Sequence, residues 1–295
     1  MLTISWVLLR NRPSGHPEAA KRTALDLNPM RPVIVKLGGS AITNKSKKCS
    51  PNLPVIQASI DQIARFRGRL ILLHGGGSFA HPFVVKAGLQ NGYNDRSQLR
   101  AIAETEMFLD QLTRIIGVGL LSNNRPFVPL RPMGFMILGN RRISRSFLEP
   151  ISQALRLGLM PVIHGDLVFD TRLGCAVLSG DELASFLGKT LNARRVLFGC
   201  DVDGVYSRDP KSSSQAVVVE EITKSNYKSV LRSLRDEKDR DATGGMLRKV
   251  AEAVELARNG VESLIFNLGH SQLLGDALRG QRVDGTRFVP WRVRD

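Results

Sequence analysis

The stretch Leu70-Ile71-Leu72-Leu73-His74-Gly75-Gly76-Gly77-Ser78-Phe79-Ala80-His81-Pro82 decides the fold. Its first four residues form a continuous apolar run bounded by turn residues, the pattern of a strand buried on both faces. Three glycines follow at once. A plain turn needs one or two, and each glycine costs chain entropy on folding. Close approach of a ligand to the backbone accounts better for three. In an open parallel sheet, ligands sit beyond the carboxyl ends of the strands. The stretch therefore reads as a buried strand delivering a ligand loop.

The same unit recurs on both sides. Upstream, Val33–Leu37 reads as a strand and runs into Gly38-Gly39-Ser40, and Val55–Phe66 has helical apolar spacing. Downstream, Ser97–Leu121 reads as a long helix, with strands expected at Phe127–Leu130 and Met160–Ile163. Leu167–Phe169 and Cys175–Leu178 flank Thr171–Gly174 as a hairpin. Helices are expected at Glu182–Leu191, Thr243–Arg258 and Gln272–Leu278, and strands at Arg195–Phe198 and Ser263–Phe266. Arg287–Pro290 reads as a closing edge strand, and Lys211–Ser214 and Arg235–Arg240 as polar loops. Strands alternating with helices imply an α/β fold: an open, mainly parallel sheet covered by helices on both faces. Residues 31–295 read as a single domain. Residues 1–29 hold Pro13, Gly15, Pro17 and Pro29 without a sustained period. They read as a disordered leader, or as an artefact of start-site choice with Met30 as the true beginning.

Further glycine clusters mark other expected strand ends. Gly38 and Gly39 with Lys36 fit an anion nest, although taken alone they read better as a tight turn beside a solvated lysine. Ser179-Gly180-Asp181 opens a helix, Asp201-Val202-Asp203-Gly204-Val205-Tyr206 follows a strand, and Thr243-Gly244-Gly245-Met246 opens a helix with Lys249 one turn inside. Glycines and a lysine at a helix start suit an anion; taken singly, each is as well explained as an ordinary cap or turn. Two familiar phosphate motifs fail or weaken. Gly39–Ser46 approaches a P-loop, but Asn44 stands where its second glycine belongs. Gly75, Gly77 and Ala80 satisfy the dinucleotide spacing, yet that fold needs an acidic residue ending a later strand. Asp95 has the spacing but lies in loop-like sequence. A nicotinamide-dependent dehydrogenase built on these glycines is thus a rival reading.

The bulk composition narrows the partners. The chain has 295 residues, 42% of them hydrophobic, enough for a large core. No apolar run approaches the ~18–20 residues that span a bilayer. Three cysteines, Cys49, Cys175 and Cys200, make no CxxC pair, so no zinc site or disulfide framework is implied and a cytoplasmic setting is the simplest expectation. Lys and Arg total 42 against 27 Asp and Glu, a net charge of +15. Such a field favours anions of any kind. Aromatics are only 6% and scattered, so no specific nucleic-acid reader is indicated, although a non-catalytic nucleic-acid binder remains a competing class.

Taken in order, Lys36–Ser40, Lys45, His74–Gly77, Ser179–Asp181, Asp201–Tyr206 and Gly244–Lys249 resemble the amino acid kinase superfamily. Within it, Gly75-Gly76-Gly77-Ser78-Phe79-Ala80-His81-Pro82 is similar to the isopentenyl phosphate kinase pattern GGGSFGHP. Thr43-Asn44-Lys45, Val162–Asp166 and Asp241–Met246 follow the same branch. Ala80 replaces the usual glycine and Asn44 the usual aspartate. The resemblance implies the αβα sandwich of that superfamily and a phosphotransferase with a phosphate group as acceptor. It implies that ATP, with Mg2+, phosphorylates isopentenyl phosphate in isoprenoid biosynthesis. A related kinase with another phosphate or phosphonate acceptor, of the fosfomycin type, is the nearest alternative. It further implies catalytic roles for Lys36, Lys45, His81 and Asp181. ATP would be held by Lys36, Gly38, Gly39, Ser40, Gly77, Asp201, Gly245 and Lys249. The acceptor would be held by Gly76, His81 and Gly180. Mg2+ would ride on phosphate oxygens and water; Asp166, close by motif, is as well read as structural. A homodimer is the expected assembly. Phe83, Phe108, Met133, Phe135 and Ile137 are candidates for an apolar slot, or simply core.

Overall fold

Alternating apolar runs and amphipathic stretches give the computed structural model its order. It describes residues 31–208, 210, 213, 215–238 and 245–291. The leader at 1–29, most of the polar loop at 211–214, and Thr243-Gly244 lie outside the described residues. In chain order the elements are β1 (Val33–Leu37), α1 (Gly39–Ile42), α2 (Leu53–Arg65), β2 (Leu70–His74), α3 (His81–Lys86) and α4 (Leu99–Ser122). Next come β3 (Phe127–Leu130), β4 (Met136–Gly139), β5 (Arg142–Ser146), α5 (Glu149–Leu157), β6 (Met160–His164), β7 (Asp166–Asp170) and β8 (Gly174–Leu178). The chain continues through α6 (Gly180–Thr190), β9 (Arg195–Cys200), β10 (Glu221–Ile222), α7 (Tyr227–Lys238), α8 (Gly245–Arg258), β11 (Glu262–Asn267), α9 (Leu273–Arg279) and β12 (Thr286–Phe288).

Eight strands form the main sheet in the order β10-β12-β11-β9-β1-β2-β6-β3. β11, β9, β1, β2, β6 and β3 all run parallel. Alternate side chains of these strands enter two separate cores. Ile34, Ile71, Leu73, Ile163, Val196 and Phe198 pack with α6 and α8 residues such as Leu183, Leu187, Val250 and Ala253. Val33, Val35, Leu37, Leu70, Leu72 and Val162 pack with Ile56, Ile60 and Ile63 of α2, Leu112 and Ile116 of α4, and Leu274 of α9. Both faces are covered, which is why the strands read as unbroken apolar runs rather than alternating ones. The expected α/β sandwich is the observed architecture.

Three features depart from the sequence reading. A second, four-stranded sheet in the order β5-β4-β7-β8 lies beside the main one. It contains the expected hairpin, now β7 and β8, together with an unexpected one, β4 and β5. The C-terminal strand β12 does not close the sheet. It pairs antiparallel with β11, and the short β10 lies outside it. Arg235–Lys238 continues helix α7 rather than forming a loop.

Candidate active site

Hydrogen bonds extend the main ladder one residue past its strands and so fix the loops at its carboxyl edge. Gly38 N–H donates to Gly199 O at 2.8 Å, Gly75 N–H to Leu37 O at 2.9 Å, and Gly165 N–H to His74 O at 3.0 Å. The glycines then let the loops touch backbone to backbone. A Cβ on Gly39 would lie 2.5 Å from Gly77 N, and one on Gly75 would lie 2.6 Å from Gly39 N. Gly77 has a φ of +49°, and a Cβ there would run into the Thr43 hydroxyl. That hydroxyl pins both loops: it donates to Gly39 O at 2.6 Å and accepts from Ser78 N–H at 2.9 Å. Thr43 appeared in the sequence only as a motif letter, and its position in Thr43-Asn44-Lys45 was the available signal.

The Gly38 N–H is engaged by Gly199 and so is not an unspent donor at this edge. The N–H groups of Gly39, Ser40, Gly76, Gly77, Gly180 and Asp181 donate to no described group. They sit on loops that the packing brings together, which makes the carboxyl edge rich in unspent donors.

Lys36, Asp181 and Lys249 converge from β1, α6 and α8. Lys36 Nζ lies 2.7 Å from Asp181 Oδ1. Lys249 Nζ contacts both oxygens, at 2.9 and 2.8 Å. Lys36 and Lys249 are 7% and 8% exposed, so this is a buried cluster carrying one uncompensated positive charge. Asp181 stands in the first turn of α6, whose start is capped by Ser179 Oγ accepting from Glu182 N–H at 3.1 Å. Burial alone would raise the Asp181 pKa, but Lys36 and Lys249 hold it well below the carboxylate range. For Lys36, burial dominates, and the pKa falls below that of a free lysine. Burial works the same way on Lys249, but the neighbouring Cys200 and then the two-pronged contact with Asp181 outweigh it and hold its pKa high. The Cys200 thiol beside them is pushed up by burial and stays neutral. Gly180 is small for a reason: a Cβ there would lie 3.3 Å from Lys36 Cε.

A second cluster forms at the same edge. Asp201 accepts from Ser40 Oγ at 2.8 Å and from Lys45 Nζ at 3.1 Å. Lys45 is exposed, so the pair holds position weakly and is free to swing. Burial raises the Asp201 pKa, while the bonds from Ser40 and Lys45 pull it below the usual value. Asn44, in place of an aspartate, turns from Lys45 toward Ser50 Oγ at 2.9 Å. Sequence reasoning missed a neighbouring cluster. Asp203 accepts from Tyr206 Oη at 3.0 Å and Asn267 Nδ2 at 2.8 Å, and lies 2.8 Å from His270 Nε2.

His81 stands apart. It begins α3, is exposed, and its side chain makes no hydrogen bond with any described residue. Only the short run from Gly77 to Ala80 ties it to the centre. Behind that loop, Phe83 stacks on Phe108 with centroids 4.4 Å apart. Gly245 is exposed at the start of α8. Asp166 is nearly fully buried and accepts from Met133 N–H at 3.0 Å. Burial and the neighbouring Glu106 carboxyl push its pKa well up, so it serves as a structural carboxyl. His74 and His164 lie close by with tilted rings, centroids 5.6 Å apart. Burial pushes them down to about 3 and about 4, so both rings are neutral at pH 7.

The dinucleotide reading fails on geometry. After β2 the chain enters a tight 3-10 turn and the short α3. Asp95 caps the turn before α4, accepting from Ser97 N–H at 2.7 Å, and ends no strand.

Comparison with known proteins gives a consistent likeness. A sequence model of the Amino acid kinase family matches residues 31–267. The chain is 35% identical to the isopentenyl phosphate kinase of Methanothermobacter thermautotrophicus, covering 87% of this chain and 98% of that protein. It is 31% identical to the isopentenyl phosphate kinase of Methanocaldococcus jannaschii, covering 86% and 97%. A crystal structure of isopentenyl phosphate kinase superposes with a TM-score of 0.76 at 31% identity, covering 87% of this chain and 99% of that one.

Proposed function

The chain belongs to the amino acid kinase family, and from that premise we propose that it transfers the γ-phosphoryl group of ATP to isopentenyl phosphate, yielding isopentenyl diphosphate and ADP. The observation that carries the reading is the buried Lys36–Asp181–Lys249 cluster beside loops with unspent N–H donors. Phosphoryl transfer is mostly positioning plus charge stabilisation. A phosphate-monoester acceptor has a second pKa near 6 and is already largely dianionic at pH 7. It needs no general base. It needs cationic screening, because two anions must meet.

The residues divide that work. Lys36 and Lys45 face the transferring group, and Lys249 the ATP phosphates. Asp181 orients Lys36 and Lys249 and, for both, opposes the burial that disfavours their charge. Because the cluster retains one net positive charge, an incoming phosphate completes its neutralisation instead of competing with Asp181. Lys45, loosely held by Asp201, which Ser40 also bonds, swings onto the γ-phosphoryl as transfer proceeds. Gly39 and Gly77 hold the phosphate loops in contact, Gly38 gives clearance, and Gly245 opens the helix carrying Lys249. Gly76 and Gly180 line the acceptor side. His81 donates an N–H to the acceptor's phosphate, a charge-assisted bond. Mg2+ enters as part of the nucleotide substrate, carried on phosphate oxygens and water, as that ion prefers. The reading includes a homodimer in a reducing cytoplasm; the three free thiols support the compartment. Among the described residues, no helix is long and apolar enough to cross a membrane.

The test is an acceptor panel with γ-labelled ATP: isopentenyl phosphate, other alkyl phosphates, a phosphonate such as fosfomycin, and glutamate. Label should move fastest to isopentenyl phosphate. Faster transfer to the phosphonate or to glutamate overturns the acceptor assignment.

A further inference from the structure

The amino-terminal ends of β2 and β6, on the edge of the main sheet opposite the proposed active site, open into a cavity of about 200 Å³. Arg67, Arg69, Arg125 and Arg156 rim it, over a partly apolar floor that includes Leu155 and Leu159. We propose that this cavity is a second anion site, which takes a small phosphate- or diphosphate-bearing ligand separately from the phosphoryl-transfer site.

Four guanidinium groups around one small cavity repel each other unless anions intervene. Among the described residues only Glu149 pairs with any of them, at 3.3 Å from Arg156. Arg125 donates to Gly68 O at 3.1 Å, a neutral acceptor that positions the group without cancelling its charge. Its Nε is buried with no hydrogen-bond partner. Burial, and then the charge of Arg67, work against the Arg125 cation. Arg67 and Arg69 make no side-chain hydrogen bond with a described residue. Planar guanidinium forks match phosphate oxygens two at a time. An anion in the cavity would relieve the mutual repulsion of the four guanidinium groups. The size of the cavity suits a phosphate or diphosphate head, and Leu155 and Leu159 tolerate a short apolar tail. The protein's large positive charge is therefore concentrated in part at a concave place, as a specific site requires, rather than spread evenly.

The test is calorimetric titration of the full chain with inorganic pyrophosphate in 0.15 M NaCl, using three proteins. Native chain should show two classes of site. Lys249→Met, which disables the phosphoryl-transfer site, should keep the class assigned to the arginine cavity. Arg67→Glu should weaken that class about tenfold or more while phosphoryl-transfer kinetics stay native. Arg67 is exposed and bonded to no described side chain, so the reversal should leave the melting temperature unchanged. If that variant nevertheless melts early, Arg69→Gln provides the same readout. Arg67→Lys should restore most of the affinity. A single class in the native chain that Lys249→Met abolishes, equal affinity in native and arginine variants, or uptake that vanishes at this salt concentration would overturn the proposal. Because the arginine variants leave the transfer site intact, failure here is separable from failure of the proposed kinase activity.

Discussion

The two ends of the main sheet handle positive charge in opposite ways. At the carboxyl edge, lysines meet carboxylates: Lys36 and Lys249 share Asp181, and Lys45 leans on Asp201. At the amino edge, arginines mostly meet neutral carbonyls, Arg156 with Glu149 being an exception. Arg31 donates to Asn192 O and Ala193 O, Arg125 to Gly68 O, and Arg195 to Ala277 O. A carboxylate partner fixes an ammonium group and sets its pKa. A carbonyl partner fixes a guanidinium group and leaves its charge whole. The carboxyl edge is therefore built for orientation with little net charge, and the amino edge for structure with much. Formal charge counted from composition cannot separate the two, and position relative to strand ends can.

Removing the shared carboxylate breaks the comparison most severely. Asp181→Asn would leave two buried ammonium groups without a counter-charge, a class of change that costs about 3–5 kcal/mol. Urea unfolding should show a loss of that order, with transfer activity gone. A loss below about 1 kcal/mol would mean that the cluster behaves like a surface pair. His81→Ala should cost less. Removing one donor to a developing phosphate charge lowers kcat by about 10²–10³, while ATP binding, read by equilibrium titration, survives. Full activity in that variant would remove His81 from the acceptor site. Gly77→Ala forces a side chain into positive φ and against Thr43, which should cost about 1–3 kcal/mol and separate the two phosphate loops. An unchanged melting temperature would show that the loops do not depend on their close contact.

The smallest effect sharpens the comparison through pH. Arginines keep their charge across the accessible range, so titration belongs to the carboxyl side and the interior. Glu182, beside the cluster on α6, is pushed up to about 7 by burial and by Glu252. Its folded pKa exceeds the unfolded one, so the folded state binds the extra proton. Stability from this group is present below about pH 4.5 and drains away as pH rises through 7. Glu182→Gln should therefore raise stability at pH 8 by about 1 kcal/mol, allowing for partial solvent screening, with no gain at pH 4. A gain at pH 4 instead would reverse the sign. His74 and His164 act oppositely. Their folded pKa values lie below the unfolded one, so their stabilising share is lost as pH falls from about 6.5 through about 4 and about 3.

The order of strands and glycine loops was legible because each unit is local: an apolar run of four to six residues, then glycine. The hairpin β4–β5 was not. Its two-residue turn is Asn140-Arg141, with φ of 51° and 66°. An Asn-Gly pair would have announced such a turn, and Arg142 and Arg145 make β5 look like loop. Asp170 explains how the turn survives, accepting from Asn140 N–H at 3.0 Å and Arg141 N–H at 2.7 Å. Helix α7 was obscured by its polar face. Within the candidate site, Lys36, Asp181 and Lys249 were legible only through their motifs. Their meeting depends on the tertiary fold bringing the end of β1 and the starts of α6 and α8 to one place, and no local spacing encodes that. The Asp203–Asn267–His270 cluster and the pinning hydroxyl of Thr43 are tertiary in the same sense. The motif residue His81 was the most specific letter in the sequence, and in the structure it is exposed with no side-chain partner among the described residues.

The proposed transfer depends most on Lys36, buried on β1 and paired with Asp181 at 2.7 Å. Single-turnover transfer of label from γ-labelled ATP to isopentenyl phosphate, native chain against Lys36→Met, tests it most directly. The account predicts rapid formation of labelled isopentenyl diphosphate by the native chain. In the variant it predicts slowing by about 10² or more, with nucleotide binding intact. Transfer at the native rate by Lys36→Met would contradict it.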